Sequence, residues 1–565
     1  MPLVAALVCL ACYWLAYRYY AGYLSRRVFA LSDLRQTPAH TLRDDVDYVP
    51  TKRFVLFGHH YASITGLSPM LGPAIAVIWG WFPGMLWVVV GALLVGCVHD
   101  FSALVLSMRA RGLSVGAITE SIVGSRAKSM FHLIIFFGIG LAMGVFVSVI
   151  ADLFLPSAYP QAIMPSALIM VLAVAAGLLA YRRGISLGML AAVAFVLALA
   201  AVVVAATTEL LTLRWESRDG WVSVLLVYSF LASVLPVWLL LQPRDFINSL
   251  LLYLGIALMY GGFFALRPVF SSPAVVLDPR GAPPIFPFVF VVIACGAVSG
   301  FHGLVASGTS AKQIDRERDA VMIGYGGMIG ESLLGLMAVL ACTAGFSSPL
   351  AWQEHYASWG SANTLGSKLG VFIDGGARFV STLGIPDGLS TALIAVVVVS
   401  FALTTLDSAT RLLRYNISEM GSTLGFRAEN RFLTSALAIV VIGFFAFYRV
   451  DGRPMGLALW GLFGTTNQLL ASLTLIIVSL YLYQRRKNYL VTALPALFMT
   501  VTTIAAMVSN LLRFRRGGQG LLFAVGLVLL LLAIGVIAEG MRAALRARAA
   551  RSRGESSPGW ALFSD

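Results

Sequence analysis

Uncharged apolar runs of about twenty residues recur from end to end of this 565-residue chain, each long enough to cross a ~30 Å hydrocarbon layer as a helix. In lipid the backbone must satisfy its own N–H and C=O groups, which leaves helices or closed barrels. The runs are continuous rather than alternating, so helices follow. Composition agrees. The chain is 59% hydrophobic and 12% charged, with mean hydropathy +0.86, too few charges to cover a soluble domain of this size. The reading is an all-α polytopic protein of a bacterial-type inner membrane with about fifteen spans. Those that matter below lie near 54–75 (second), 80–107 (third), 221–242 (seventh), 285–308 (ninth), 321–345 (tenth) and 388–412 (eleventh).

A net charge of +14 raises the question of nucleic acid, but the basic residues sit in short loops between apolar runs rather than on one face. Positive loops at the cytoplasmic surface account for them. With the N-terminus outside, the inside loops collect Arg26, Arg27, Lys52, Arg53, Arg109, Arg111, Arg182, Arg183, Lys312, Arg316, Arg485 and Arg486. The C-terminus is then cytoplasmic. Arg513, Arg515 and Arg516 fall outside, against that trend. Met1 to Leu10 contain no Lys or Arg for a secretory n-region, so the first helix is expected to stay as an anchor. Cys9 and Cys12 form a C-x-x-C inside that apolar run with no second pair, which suits packing better than zinc or redox chemistry. The expected organisation is an anchor helix and cytoplasmic loop at 1–53, a core at 54–415, further spans at 416–542, and a basic tail at 543–565 lying on anionic lipid. The polar stretch 346–387 is outside, with a short surface or re-entrant helix.

Span two reads F-G-H-H-Y-A-S-I-T-G-L-S-P-M-L-G-P from Phe57 to Pro73. Gly58, Gly66, Pro69, Gly72 and Pro73 weaken the helical ladder, and His59, His60, Ser63, Thr65 and Ser68 are polar. A broken helix survives in lipid only where it is buried in protein or lines a cavity, and its freed amides and carbonyls can then bind ions and anionic groups. The bland alternative is close helix packing through Gly and Ser around an ordinary proline kink. Span nine holds a second such stretch, C-G-A-V-S-G-F-H-G-L-V-A-S-G-T-S, from Cys295 to Ser310. Pro236 in span seven is another helix breaker, and that segment ends with Arg244 and Asp245 at the inner surface.

His59, His60 and His302 each lie about six residues from the inner end of their spans, roughly 9 Å deep at 1.5 Å per residue. His99, Asp100 and Asp407 fall at similar depth. Ionisable residues at such depth face a cavity, a partner or a proton path, and imidazole is suited to proton exchange. A satisfied buried side chain is the competing reading for each histidine. Adjacent His59 and His60 point about 100° apart on a helix and cannot jointly chelate one metal; a metal or haem would need His302 or another partner. Glu331, near the middle of span ten, is a proton-carrier candidate, with a structural bond to a neighbour as the alternative. Asp407 and Arg411 are i and i+4, where a local ion pair competes with a functional role.

These stretches resemble the carbon starvation protein A family. The residues carrying the resemblance are 57–73, V-H-D-F at 98–101, L-P-V-W-L-L-L-Q-P-R-D-F at 235–246, A-C-G-A-V-S-G-F-H-G-L-V-A-S-G-T at 294–309, F-A-L-T-T-L-D-S-A-T-R at 401–411 and L-W-G-L-F-G-T-T-N-Q-L-L-A at 459–471. The resemblance implies a non-enzymatic inner-membrane transporter used when carbon is scarce, taking up peptides or pyruvate, with protons driving pyruvate in some members. It also implies the LeuT-like inverted-repeat core of amino-acid and cation symporters, here as two five-helix repeats within 54–415. The break at Gly58–Pro69 would open one repeat and Pro236 the other, bringing His302 near His59 and His60.

The expected mechanism is import of a small carboxylated solute by alternating access. His59, His60, Ser63, Thr65, Gly66 and Ser68 would bind it, with Pro236, Ser299 and His302 completing the site. His302, Glu331, Asp407 and Asp100 would couple transport to protons or sodium. Two readings compete: a haem- or metal-binding redox protein using His59, His60 and His302, and a nutrient sensor, which would want a signalling domain. The expected partners are the solute and the lipid bilayer, without nucleic acid; the residues leave the oligomeric state open.

Overall fold

The computed structural model describes residues 1–208, 213–423, 425, 430–450 and 452–552. Its main helices begin with α1 (Pro2–Val28), α2 (Arg53–Ile64), α3 (Ser68–Ala76), α4 (Trp81–Arg109), α5 (Ser125–Leu153), α6 (Pro160–Arg183), α7 (Leu187–Thr207), α8 (Arg218–Val234) and α9 (Leu241–Leu266). They continue as α10 (Ile285–Val292), α11 (Gly300–Gly308), α12 (Glu317–Ala344), α13 (Leu365–Ser381), α14 (Asp387–Thr423), α15 (Arg431–Phe447), α16 (Trp460–Gln484), α17 (Leu490–Arg516) and α18 (Gly520–Ser552). Among the described residues eleven helices are long and apolar enough to cross a membrane, or twelve when the bent pair α2–α3 counts as one span. The protein is therefore an all-α multi-pass membrane protein. The three other crossings expected from hydropathy fall on helices below that length. Helices α8 and α15 have 17 residues each, and the 285–308 run is split into α10 and α11.

Burial sorts the helices into two populations. The apolar windows of α4 and α14 are 89% buried inside the protein, whereas those of α1 and α18 are 17% and 28% buried. The peripheral helices turn residues such as Val4, Leu7, Val528 and Leu531 outward, surface that would forfeit roughly 25 cal/mol per Å² in water and is at home in lipid. Helices wrapped by protein can carry polar side chains without exposing them to hydrocarbon, and the ionisable residues singled out above sit on those.

Two glycines let the inner helices approach at backbone distance. A Cβ on Gly72 of α3 would lie 2.5 Å from the Val292 carbonyl oxygen, and one on Gly96 of α4 would lie 2.2 Å from that of Ala297. The contacts press against the end of α10 and the segment that follows it, so any side chain at either position would push that stretch away. The stretch 346–387 folds as Pro349–His355, Trp359–Ala362 and α13, which packs on α9, α12 and α14.

Three local expectations are corrected. Pro236 does not interrupt a span; it follows the end of α8, in a connection where Val237 N–H donates to Val46 O and Trp238 Nε1 to Asp45 O. Arg244 and Asp245 are not at a surface but buried in the first turns of α9, because the adjacent Asp245, Asp407 of α14 and the Tyr228 phenol of α8 satisfy the guanidinium there. Asp407 and Arg411 do not pair with each other. Asp407 takes Arg244, while Arg411 reaches Asp47 at 3.0 Å and the carbonyl oxygens of Ala232 and Leu235. Helix α18 runs to Ser552, and the expected tail beyond it, 553–565, lies outside the described residues.

Candidate functional site

The second span breaks between Ile64 and Ser68, and its two halves bend by 48°. Proline explains the position. Pro69 has no N–H to give to the Thr65 carbonyl, and its ring would clash with it in a continued helix. Thr65 accordingly turns extended, at φ −79° and ψ 94°. Gly66 follows because the chain here touches α14 and α5: a Cβ would meet Thr405 Oγ1 at 2.8 Å and Phe146 Cε2 at 3.1 Å. His59 and His60 therefore ride on the intact half α2, before the break rather than within it.

The second break, from Ile293 to Ser299, separates α10 from α11. Asn467 and Gln468 of α16 hold it open. Gln468 Nε2 donates to the carbonyl oxygens of Phe290 and Val298, both at 3.1 Å. Asn467 Oδ1 accepts from Phe301 N–H at 3.0 Å and from Ser299 Oγ at 3.2 Å. These two amides were not assigned a role from the sequence, although an Asn-Gln pair inside an apolar run is itself a signal, since each amide must find partners when buried.

Between the two breaks lies a cavity of about 30 Å³, lined among others by Gly66, Ser68, Cys295, Thr405 and Asn467. The buried hydroxyls of Thr65, Ser68 and Thr405 have no hydrogen-bond partner in the protein. Together with the N-terminal turn of α3, they offer unspent donors to a small anionic group.

Two networks of ionisable side chains, all buried except the half-buried Tyr228, flank this point. In the first, His59 Nδ1 contacts Asp245 Oδ2 at 2.6 Å, and Ser63 Oγ donates to the same oxygen at 3.1 Å. Arg244 Nη2 donates to Asp245 Oδ1 at 2.6 Å, and Arg244 Nη1 also pairs with Asp407. Tyr228, which accepts from Arg244 Nη1 at 2.7 Å, itself donates to Asp407. Helices α2, α8, α9 and α14 are thereby joined. Two carboxylates and one guanidinium leave a formal charge of −1, which one proton on His59 would cancel.

In the second network, His302 of α11 bridges two carboxylates. Its Nδ1 is 2.8 Å from Asp100 Oδ2 and its Nε2 is 2.7 Å from Glu331 Oε2. The latter is an ion-pair contact without hydrogen-bond alignment, and neither Glu331 oxygen has a hydrogen-bond partner. His99 Nδ1 holds the other Asp100 oxygen at 2.7 Å, and its Nε2 is unpartnered. Two carboxylates with two neutral imidazoles would bury a charge of −2, a heavy penalty at low dielectric. Protons on the cluster would relieve that charge, and the cluster adjoins the cavity through Cys295.

The residues expected to bind solute thus separate. Gly66 and Ser68 line the cavity, Thr65 adjoins it, and Ser299 is tied to Asn467 and Cys295 behind it. Ser63 belongs to the first network and is linked to Ser408 Oγ at 3.0 Å. His59 and His302 are engaged in the networks, and His60 Nδ1 contacts Ser310 Oγ at 2.8 Å. None of these three imidazoles lines the cavity at the breaks, and Pro236 is away from it. Among the expected proton carriers, Asp100, His302 and Glu331 come together, whereas Asp407 stands apart in the first network. For a metal, Cys295, His302 and Glu331 offer donor atoms within 4.8 Å of one another. Donors sharing a metal at ~2.0–2.2 Å would stand about 3–3.5 Å apart, so the 2.7 Å His302–Glu331 contact is a direct ion pair rather than a cage.

Outside the spans, Asp47 faces Arg411, Lys312 and Arg414. Burial alone would raise its carboxyl, but these cations outweigh burial and hold it at about 2.

The family model described as carbon starvation protein CstA matches residues 1–348 and 345–506. The chain belongs to the carbon starvation protein CstA family. It is 30% identical to a protein of Campylobacter jejuni named peptide transporter CstA, over 92% of this chain and 81% of that one. A protein of the same name from Escherichia coli is 31% identical over 89% of this chain and 80% of its own length. The pyruvate/proton symporter BtsT of Escherichia coli is 30% identical over 88% and 80%. Among solved structures, the manganese transporter of Eremococcus coleocola superposes with a TM-score of 0.52 at 13% identity, covering 90% of this chain and 99% of that one. That likeness concerns the fold. Membership of the CstA family makes this chain a transport protein, not an enzyme.

Proposed function

We propose that this CstA-family chain is a secondary transporter that imports a small carboxylate, pyruvate or a short peptide, together with protons across the inner membrane during carbon starvation. The observation that carries the reading is the Asp100–His302–Glu331 cluster, a buried proton site adjoining the cavity where two helices break. The solute carboxylate would sit against the first turn of α3, held by Ser68 with Thr65 and Thr405 beside it. A proton taken up on the His302–Glu331 pair would offset the anion's charge, so that loading adds no net charge to the low-dielectric core. The small size of the cavity favours a pyruvate-sized solute over a dipeptide at the innermost point.

In this reading the core within 54–415 is a LeuT-like inverted-repeat unit whose interrupted helices are α2–α3 and α10–α11. Residues 1–53, 416–542 and 543–565 flank it as anchor, accessory helices and tail. Arg109 and Lys312 lie at its cytoplasmic face, with the N-terminus outside. The names of the Escherichia coli and Campylobacter jejuni relatives support transport of one of these two solute classes. Purified protein in liposomes should take up labelled pyruvate or dialanine faster when the outside is made acidic. Uptake that follows a sodium gradient and ignores pH would overturn the proton assignment, and uptake of neither solute would overturn the substrate class.

A further inference from the structure

A second, larger cavity of about 340 Å³ opens on the face opposite Arg109 and Lys312. Its floor is Ser68 and Gly72 of α3, so it ends at the same break as the small cavity. Two cations stand on its walls, Lys368 of α13 and Arg513 of α17, and among the described residues no Asp or Glu lines it. Lys368 is only 2% exposed. Its Nζ donates to one neutral acceptor, Asn363 Oδ1, at 3.0 Å, and lies 5.9 Å from the Trp460 ring. An ammonium has three donors, and burying one without a counter-charge is costly. Arg513 sits at the exposed rim, donating to Asn510 Oδ1 and stacked 5.1 Å over Phe288. This arginine is also the outlier in the positive-inside pattern, so something other than topology accounts for a cation at that place.

The geometry points to an anion-capture vestibule in which a carboxylate solute docks on Lys368 Nζ, drawn in past Arg513, before it passes to Ser68 at the helix break. The inference rests on the carboxylate-transport reading but concerns a separate station on the path. Ser68, with its unpartnered hydroxyl, is common to both cavities and is where the solute is handed on. The apolar walls, Phe288 and Val291 among them, suit the short carbon chain of such a solute better than a fully hydrated inorganic ion.

The test uses the full chain in liposomes of zwitterionic phosphatidylcholine, with pyruvate uptake measured against concentration under a fixed pH gradient. Lys368→Met should raise KM roughly tenfold to hundredfold, the factor one charged hydrogen bond supplies, while the response to the gradient persists. Lys368→Arg should recover most of the affinity. Arg513→Gln, at the exposed rim, should raise KM several-fold at low salt and flatten its salt dependence. An unchanged KM in both Lys368→Met and Arg513→Gln overturns the vestibule while leaving transport intact. Competition by inorganic phosphate or by added anionic lipid as strong as that by unlabelled pyruvate overturns its carboxylate assignment. His302→Ala combined with Glu331→Gln, by contrast, should abolish the gradient response that Lys368→Met retains, so the two readings fail separately.

Discussion

Gly66→Ala is the smallest change that reaches the helix break. The added methyl would lie 2.8 Å from Thr405 Oγ1 and 3.1 Å from Phe146 Cε2, inside a cavity of about 30 Å³. Overpacking of this kind costs about 1–3 kcal/mol. If the cost falls on the loaded state, solute affinity drops by roughly fivefold to a hundredfold. Thr405 is the residue to relieve. Its hydroxyl has no protein partner, so Thr405→Ala orphans nothing and removes the atom in closest conflict. Uptake kinetics and thermal unfolding should therefore show Gly66→Ala impaired in both, Thr405→Ala nearly normal in stability, and the double variant restored in stability. Normal uptake by Gly66→Ala would refute the placement of the solute at this break.

Asp245→Asn removes a charge from the buried set that joins α2, α8, α9 and α14, and should lower stability by about 3–5 kcal/mol in detergent unfolding; an unchanged unfolding temperature would mean the network is structurally idle. Burial pushes the Lys368 ammonium down to about 8, so the cation is lost as pH rises through that value. Wild-type KM for an anionic solute should climb above pH 8, and Lys368→Arg should stay flat. Asp47, held at about 2 against an unfolded value of ~3.9, stabilises the fold above about pH 4 and ceases to do so as pH falls towards 2. Replacing it with Asn should remove that acid-dependent loss, read from unfolding temperature against pH.

Much of this architecture was legible because lipid allows the backbone few solutions. Long apolar runs gave the crossings, and the coincidence of Pro69 with Gly66 marked the break. Hydropathy could not tell a spanning helix from the shorter α8 and α15, because run length says nothing of where a ladder stops; the split of 285–308 was marked instead by the glycine- and serine-rich stretch from Cys295 to Ser310. Pro236 was misplaced for the same reason: a proline that ends a helix reads like one that kinks it. The polar layer was visible as residues, yet its pairing was not. Asp407 lies one turn from Arg411 in sequence, but Arg244 from α9 takes it, since only packing decides which cation reaches a buried carboxylate first. Asn467 and Gln468 went unassigned because their partners are backbone atoms of a distant break. The cavity at the breaks is flanked by the histidines rather than lined by them, a distinction of side-chain direction that spacing alone cannot supply.

The account stands on a proton held among Asp100, His302 and Glu331 and moved with the solute. A pH-sensitive dye trapped inside liposomes reports this directly when pyruvate is added outside. Wild-type protein should acidify the lumen as solute enters, and at one pH unit of gradient should concentrate it about tenfold per proton. The His302→Ala and Glu331→Gln double variant should equilibrate solute with no dye response. Continued acidification and accumulation by that double variant would place the proton elsewhere and contradict the central claim.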